Sequence, residues 1–314
     1  MATPACSTDG SYKSKSKSYT PFSAYHTQMK VITTVAALQQ ELSKLRQENP
    51  SARVGLVPTM GALHAGHLSL VAAARKQYDI VVVSVFVNPT QFNNPEDLRT
   101  YPRKPEEDLA RLRDGQVDIA FLPTVEEMYP EADTRQFDFG FLGETMEGAH
   151  RPGHFNGVAQ IVSKLFMLVQ PDGAFFGEKD FQQIAIVREM VRQLALPVEI
   201  HSCPIIREAD GLALSSRNLL LTSEQRDVAP RIHDTLVASQ ALIPEHSPRE
   251  VVDFVVSRLA EHPLLRPEYY QIVDGKTLRP LESWSDSSDP VGCIVCYCGD
   301  VRLIDNIHYK TSAN

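Results

Sequence analysis

The chain has 314 residues, of which 43% are hydrophobic and 22% charged, and its formal net charge is −8. This length suffices for two domains with separate cores, and the composition is that of a globular protein. No apolar run is long enough to cross a membrane, and the chain lacks the basic face that polynucleotide binding requires. These features argue against a membrane protein and against a nucleic-acid partner, but they leave room for a basic pocket that binds a small phosphorylated ligand.

The first 29 residues are rich in Ser, Thr and Lys, and Asp9 is their only acidic residue. They contain neither Arg nor the hydrophobic core of a secretory signal. We therefore predict a disordered tail over residues 1–29 and a cytoplasmic protein. Mitochondrial import is the alternative, because transit peptides are also poor in acidic residues.

Five cysteines occur in the chain, at Cys6, Cys203, Cys293, Cys296 and Cys298. The last three resemble half of a zinc site, but no neighbouring Cys or His pair completes four ligands at the usual spacing. Residues 291–297 also alternate like a core strand. We therefore expect buried thiols in a reducing compartment rather than a metal site.

Helical and extended patterns alternate over the first two thirds of the chain. Helices are predicted over 33–47, 68–77, 104–114, 156–169 and 181–194, and strands over 53–57, 80–87, 118–122, 174–176 and 198–206. The run IVVVSVFV at 80–87 is typical of a parallel strand that is covered on both faces. The pattern predicts a doubly wound α/β domain over residues 30–206.

After residue 206 the pattern changes. Helices are predicted over 223–242 and 248–262, and strands over 269–273, 292–298 and 301–307. These elements indicate a smaller α+β domain over residues 207–314, with a hinge near 206–211.

The clearest chemical signal is VGLVPTMGALHAGHLSLV at 54–71, in which a strand leads through Gly61 into a helix that carries His64 and His67. Side chains three apart share one helical face, and a helix start suits phosphate oxygens. Gly66 lets a ligand approach the backbone. There is no GxxxxGK(S/T) or GxGxxG motif. We predict a nucleotide site that stabilises attack at an α-phosphate; the alternative is a simple helix cap.

Three further segments lie where predicted strands or loops end. Lys179 in FFGEKDFQQ is placed to neutralise phosphates, unless it only pairs with Glu178. The loop LSSRN at 214–218 can grip a triphosphate, although such a loop can also be an ordinary turn before a helix. In FVNPTQF, Asn88 and Gln91 offer carboxamides to hydroxyls and carboxylates, or form a plain Asn-Pro turn.

An acidic run at 106–108 could hold Mg²⁺ or be the acidic first turn of a helix. The first-turn interpretation is favoured for Glu106 and Glu107, and Asp108 is kept as the candidate metal ligand.

The chain resembles the pantoate–β-alanine ligase (pantothenate synthetase) family. The resemblance covers nearly all of residues 31–308, and the matching stretches, in the family's order, are PTMGALHAGH, FVNPTQF, EDLRTYPR, RPGHFNGV, FFGEKDFQQ, READGLALSSRN and RLIDNI. It implies a Rossmann-like domain, a smaller C-terminal lid and a homodimer. It also implies ATP and Mg²⁺ as cofactors and a two-step ligation of pantoate with β-alanine through pantoyl adenylate. The tail and the late cysteines depart from the family pattern.

The resemblance also implies roles for residues at matching positions. The implied catalytic residues are His67, as proton donor, and His64, Lys179 and Arg217. The implied ATP-binding residues are Met60, Gly61, His64, Gly66, His67, Gly177, Glu178, Lys179, Asp180, Ile206, Leu214, Ser215, Ser216 and Arg217. The other implied contacts are Gln91 and Gln183 to the hydroxyls of pantoate, Asn88 to β-alanine, and Asp108 to Mg²⁺.

Three alternatives remain at this point. Another HxGH nucleotidyl transferase would have no need of the pair Gln91 and Gln183. An aminoacyl-tRNA synthetase fragment would conflict with the acidic balance of the chain. A non-catalytic, metabolite-binding relative would have no reason to keep the histidines together with Lys179 and Arg217, and an activity measurement decides that case.

Overall fold

The computed structural model describes residues 28–310, so nearly all of the predicted tail, with Cys6, lies outside the described residues. No helix between residues 28 and 310 is both long and apolar enough to span a membrane.

A six-stranded parallel sheet forms the first part of the structure, in the order β1-β4-β3-β2-β5-β6. Its strands are β1 Lys30–Ile32, β2 Val54–Thr59, β3 Ile80–Val85, β4 Ile119–Phe121, β5 Gly173–Gly177 and β6 Glu199–Cys203. The helices connected to it are α1 Val35–Glu48, α2 Ala65–Gln77, α3 Pro95–Thr100, α4 Pro105–Asp114, α5 Val125–Met128, α6 Phe141–Glu144, α7 Glu147–His150, α8 His154–Val169 and α9 Phe181–Gln193.

A three-stranded antiparallel sheet forms the second part. It consists of β7 Leu265–Asp274, β8 Pro290–Cys298 and β9 Val301–His308, accompanied by α10 Ser223–Val228, α11 Arg231–Ser239 and α12 Pro248–Ala260. The predicted fold class, a doubly wound parallel sheet with a smaller α+β unit, is confirmed. The domain boundary at 206–207 and the hinge stay predictions, although the two sheets have separate hydrophobic cores.

Both faces of the parallel sheet are buried, and β3 shows why its sequence is an unbroken apolar run. Val82 packs into the core on one face, whereas Val81 and Val83 pack into the core on the other. Burial of each such side chain stabilises the fold by roughly 1.5–3 kcal/mol. The sheet is therefore fixed from both sides, and its carboxyl edge is a rigid base for loops.

Several predicted boundaries were wrong, and two of them have a clear physical reason. The predicted strand ended before Pro58, but β2 continues to Thr59, because beyond Leu56 it pairs with β3 alone and a proline is tolerated beside an open side. The single helix predicted over 223–242 is interrupted, since Pro230 stands between α10 and α11. In addition, the short elements β1, α3, α5, α6 and α7 were not predicted.

The cysteines Cys293, Cys296 and Cys298 lie on β8 with buried thiols. Burial raises the pKa of each of these thiols, which disfavours the thiolate that metal binding needs. Their environment agrees with the buried-thiol interpretation.

The strand order reverses between β2 and β5. The chain runs outward on one side from β2 through β3 to β4, and then returns to place β5 and β6 on the other side of β2. Loops that leave the carboxyl ends of neighbouring strands diverge at such a reversal and leave a crevice for ligands. The segment HAGH at residues 64–67 follows β2, and Lys179 follows β5, so both lie at this crevice.

Candidate active site

A cavity of about 200 Å³ opens at the reversal point of the parallel sheet. Most of the predicted site residues line it, namely Met60, His64, Gly66, His67, Asn88, Gln91, Gly177, Lys179, Asp180, Gln183, Ile206, Leu214, Ser215, Ser216 and Arg217. Three predicted residues, Gly61, Glu178 and Asp108, do not line it. Segments distant in sequence thus meet around one space, as expected for a shared ligand site.

The turn after β2 has an unusual backbone. Gly61 and Ala62 have φ values of +81° and +47°, so two consecutive residues lie in the left-handed region. His64 is the N-cap residue, and the helix begins at Ala65 rather than before the first histidine. A side chain at Gly66 would place its Cβ 2.9 Å from the His64 ring, so glycine there lets the imidazole lie against the helix start.

The buried side chain of Asp108 stabilises this turn. Its carboxylate is 1% exposed, and its two oxygens accept the N–H groups of Ala62 at 2.9 Å and Leu63 at 2.7 Å. Burial raises the pKa of Asp108, although the two backbone hydrogen bonds oppose that effect. The carboxylate therefore stabilises the left-handed turn that carries the histidines.

Each oxygen of Asp108 accepts one backbone N–H group, and its predicted role as a magnesium ligand stays a prediction. Within residues 28–310, no group of three or more His, Cys, Asp or Glu side chains could hold a metal ion. The contacts that Asp108 makes among the described residues support the turn that leads to His64 and His67.

The two imidazoles lie side by side, with ring centroids 4.0 Å apart. The His64 backbone N–H donates to Nδ1 of His67 at 3.3 Å. A neutral His67 ring that accepts at Nδ1 carries its proton on Nε2, so this tautomer is assigned from the hydrogen bond. Nδ1 of His64 is buried and has no hydrogen-bond partner among the described residues.

Both histidines are neutral near pH 7. Burial, with a smaller contribution from the Lys179 ammonium, lowers the pKa of His64 to about 4. The pKa of His67 is lowered well below 6.5 by burial, then by His64 and Lys179. A bound polyphosphate would oppose these effects, because negative charge favours the protonated imidazole.

Lys179 follows β5 and is held by the C-terminal sheet. Nδ2 of Asn306 on β9 donates to the carbonyls of Glu178 at 2.7 Å and Lys179 at 3.3 Å. The neighbouring Asp305 pairs with Arg207 through two contacts of 2.6 and 2.9 Å. These positioning residues were missed, although the segments RLIDNI and READG that contain them were recognised.

The loop that carries Ser215, Ser216 and Arg217 closes the opposite side of the cavity. The hydroxyl of Ser216 donates to the carbonyl of Ala62 at 3.2 Å. The guanidinium of Arg217 donates to Asp97 on α3 at 2.9 Å. The loop thus touches the turn before α2 directly, and its guanidinium is paired with a carboxylate of α3.

The carboxamides after β3 are partly occupied within the protein. Asn88 donates to Oε1 of Gln91 at 3.2 Å and to the carbonyl of Gly157 at 3.1 Å, and it accepts from the Tyr129 hydroxyl at 2.8 Å. Asn88 therefore orients Gln91, and its predicted contact to β-alanine stays a prediction. The Gln91 amide contacts the Met60 sulfur at 3.3 Å.

A buried polar cluster supports Gln91 from behind. Nδ1 of His154 donates to the Gln91 carbonyl at 2.8 Å, and its Nε2 accepts from Arg151 at 3.2 Å. Burial, together with the Arg151 charge, lowers the pKa of His154 to about 4, so the ring is neutral. Glu147 lies 3.5 Å from Arg151 and 2.7 Å from Arg302 on β9, so the cluster connects the two sheets. The segments RPGHFNGV and RLIDNI, which contain Arg151, His154 and Arg302, were the sequence signals for it.

Residues 30–308 match the protein-family model described as pantoate-beta-alanine ligase. The chain is 56% identical over 282 residues to a pantothenate synthetase of Porphyromonas gingivalis, an alignment that covers 90% of this chain and 100% of that protein. A pantothenate synthetase of Bacteroides fragilis is also 56% identical, over 284 residues, with the same two coverages.

Solved structures agree with the sequence comparisons. The pantothenate synthetase of Thermus thermophilus is 46% identical, with a TM-score of 0.83 over 90% of this chain and 100% of that one. The pantoate-beta-alanine ligase of Francisella tularensis, complexed with beta-gamma ATP and β-alanine, is 32% identical, with a TM-score of 0.73 over 89% of this chain and 97% of that one. With the HAGH turn, Lys179 and the Ser215–Arg217 loop gathered at one cavity, the chain belongs to the pantoate–β-alanine ligase family.

Proposed function

We propose that this protein ligates pantoate to β-alanine with ATP as co-substrate, forming pantothenate, AMP and pyrophosphate through a pantoyl-adenylate intermediate. The observation that carries the proposal is the convergence of His64, His67, Lys179 and Arg217 on one cavity that also contains Gln91 and Gln183. Donors and cations suit a triphosphate, and carboxamides suit a hydroxylated acid.

In the first step, a pantoate carboxylate oxygen forms a bond to the α-phosphorus, and the bond from that phosphorus to pyrophosphate breaks. The acid needs no general base, because carboxyl groups of this kind have a pKa of about 4. Nε2–H of neutral His67 and the ammonium of Lys179 donate to the developing phosphate charge. Alignment and charge stabilisation thus do the catalytic work, and no residue becomes covalently bound.

In the second step, the free amine of β-alanine attacks the carbonyl carbon of the mixed anhydride. A carbon–nitrogen bond forms, the carbon–oxygen bond to AMP breaks, and the amine gives up a proton. Gln91 and Gln183 keep the acyl group in place between the two steps. The donors that stabilised the first transition state then face the leaving phosphate of AMP.

The decisive experiment measures AMP release from ATP and Mg²⁺ with pantoate and β-alanine supplied together or singly. We expect AMP only when both are present, and pantoate-dependent exchange of pyrophosphate into ATP without β-alanine. AMP release without either substrate, or none with both, would contradict the proposal.

Two further features are proposed from the family resemblance alone. A homodimer is tested by sedimentation of the full chain, where a monomer at micromolar concentration would contradict it. The cytoplasmic location is tested by following the full-length chain in cells, and import into an organelle would contradict it.

A further inference from the structure

Two adjacent residues of β9, Asp305 and Asn306, contact both of the segments that bring cations to the cavity. These two residues, called the β9 pair below, are 5% and 3% exposed. A smaller cavity of about 60 Å³ shares part of its lining with the first, and its wall includes Lys179, Arg217, Asp305 and Asn306. The second sheet therefore approaches the two cations of the proposed phosphate site at one place.

The first contact is made to the lysine loop, Glu178–Asp180. It is a 3₁₀ turn of three residues, and no side chain caps its start. Short turns of this type have poor hydrogen-bond geometry and are weak by themselves. The Asn306 amide donates to the first two carbonyls of the loop, at 2.7 and 3.3 Å. Because the Lys179 ammonium lies at the end of a flexible stem, its location depends on the backbone that this amide holds.

The second contact is made to the segment that leads to Arg217. Asp305 accepts from the Arg207 guanidinium through both of its oxygens, at 2.6 and 2.9 Å. Such two-pronged pairs fix geometry as well as adding energy. Arg207 also pairs with Ala213 in an antiparallel bridge, so residues 207–213 form a narrow hairpin. The loop with Arg217 follows this hairpin directly, and the hairpin is anchored to β9 at its base.

One strand thus holds the starting points of both loops. The β9 pair is continuous with a strand that pairs with β8 along its whole length. The two residues are also tied to each other, since the Asn306 backbone N–H donates to Oδ1 of Asp305 at 2.8 Å. Cations act on a triphosphate only when they are placed to within roughly 0.5 Å. A rigid strand that anchors both loops supplies that placement.

We propose that the β9 pair positions both phosphate-binding loops, so that Lys179 and Arg217 engage one triphosphate at the same time. This inference rests on the proposed function and deepens it, because it assigns part of the phosphate site to the second sheet. The β9 pair consists of positioning residues, and each acts through the loop that it holds. Substituting either residue should therefore have an effect only while the corresponding cation is present.

The first test is a double-mutant cycle of Asn306→Ala and Lys179→Ala, measured in pyrophosphate exchange. We expect Asn306→Ala alone to lower kcat about tenfold, because the lysine is displaced from the developing phosphate charge. In the Lys179→Ala background the same substitution should cost less than twofold, since the group through which it acts is gone. An equal loss in both backgrounds, or no loss in the presence of Lys179, would contradict the proposal.

A second cycle keeps the proposal testable if Asn306→Ala does not fold. Arg207→Lys retains a positive charge beside Asp305 but gives up the two-pronged contact. We expect the KM for ATP to rise about three- to fivefold while kcat changes less than twofold. No further rise should follow when Arg217 has already been replaced by alanine. A rise of the same size in both backgrounds, or none in either, would overturn the role of Asp305.

The matched control is Asn156→Ala. The amide of Asn156 also donates to a backbone carbonyl, that of Arg135 at 3.2 Å, but Asn156 does not line the cavity. This variant should have a lower Tm and unchanged exchange in both backgrounds. If it behaved like Asn306→Ala in the cycle, the coupling would not be specific to β9, and the proposal would fail.

ATP binding, measured by calorimetry without pantoate, separates this inference from the proposed function. If wild-type enzyme binds ATP but shows no pantoate-dependent exchange, the proposed function fails. Both cycles can then be completed on the Kd for ATP, where independent effects of the paired substitutions would contradict the positioning role and coupled effects would support it.

Discussion

The two sides of the cavity are held in place by different kinds of contact. The HAGH turn rests on the parallel sheet, and a buried carboxylate, Asp108, binds its backbone from below. The loop with Ser215–Arg217 is held by one hydroxyl contact to Ala62 and by a partly exposed ion pair with Asp97. Exposed ion pairs contribute little, whereas buried hydrogen bonds to a charge contribute much more. The histidine side is thus held more firmly than the arginine side.

The largest expected effect comes from substitutions that test whether His67 and Lys179 are needed for the adenylation step. His67→Ala and Lys179→Ala should each slow pyrophosphate exchange by about 100- to 1,000-fold, because each removes a donor aimed at developing phosphate charge. The Tm should change little, since both side chains face the cavity. His246→Ala and Lys44→Ala, at exposed positions, are the controls. An unfolded Lys179→Ala variant, or one with normal exchange, would contradict the phosphate role.

Asp108→Asn tests whether the Asp108 carboxylate holds the turn before α2 in its observed conformation. An asparagine offers one oxygen and would turn its NH₂ group toward a backbone N–H, so we expect unfolding to become easier by about 1–3 kcal/mol. Exchange activity should fall about tenfold as the turn relaxes. The control is Glu107→Gln, which removes a neighbouring, half-exposed carboxylate.

The same variant, Asp108→Asn, distinguishes a structural role of Asp108 in the turn from a role in binding Mg²⁺. The Mg²⁺ concentration that gives half-maximal exchange should be the same in Asp108→Asn as in wild type. A variant of normal Tm that needs more Mg²⁺ would make Asp108 a metal ligand.

The pH dependence of stability reports the burial of the histidines. Their folded-state pKa values lie below 6.5, with that of His64 at about 4, so the unfolded chain binds protons that the folded chain excludes. Stability from these groups is therefore complete above the unfolded pKa of about 6.5 and is lost as the pH falls toward the folded pKa. The fall in Tm between about pH 7 and pH 5 should be smaller in a His64→Gln/His67→Gln variant, and unchanged in His246→Gln. Equal falls in all three proteins would show that these rings are not buried neutral.

The smallest expected effect concerns the ion pair between Arg217 and Asp97. Asp97→Asn frees Arg217, so we expect the KM for ATP to fall by about two- to fivefold, while stability changes by less than about 1 kcal/mol. Leu98→Ala on the same helix serves as a control for α3 itself. A raised KM would mean that Asp97 orients Arg217 for the nucleotide rather than competing with it.

Local features of the sequence were sufficient for much of this structure. The run at 80–87 indicated a strand covered on both faces, and the position of His64 and His67 after a strand indicated their cavity. The interruption at Pro230 was also a local signal, but the apolar spacing on both sides of it suggested one helix. Patterns of this kind are set by neighbours within a few positions.

Contacts between segments that are distant in the sequence could not be predicted from such local patterns. Asp108 binds Leu63 across 45 positions, and an acidic residue in the first turn of a helix looks the same whether it binds a metal, the helix dipole or a distant backbone. Only the assembled fold distinguishes these cases, because the partners are brought together by topology.

The contact from Asn306 has a consequence for how the enzyme is made. The carbonyls it binds belong to Glu178 and Lys179, and the first of these lies 128 positions earlier in the chain. A ribosome therefore produces the whole parallel sheet before it produces the side chain that holds the lysine loop. A nascent or truncated chain that ends before β9 carries the residues of the phosphate site without the contact that holds this loop. The lysine loop therefore gains these two contacts only after β9 has been synthesised and has joined the second sheet.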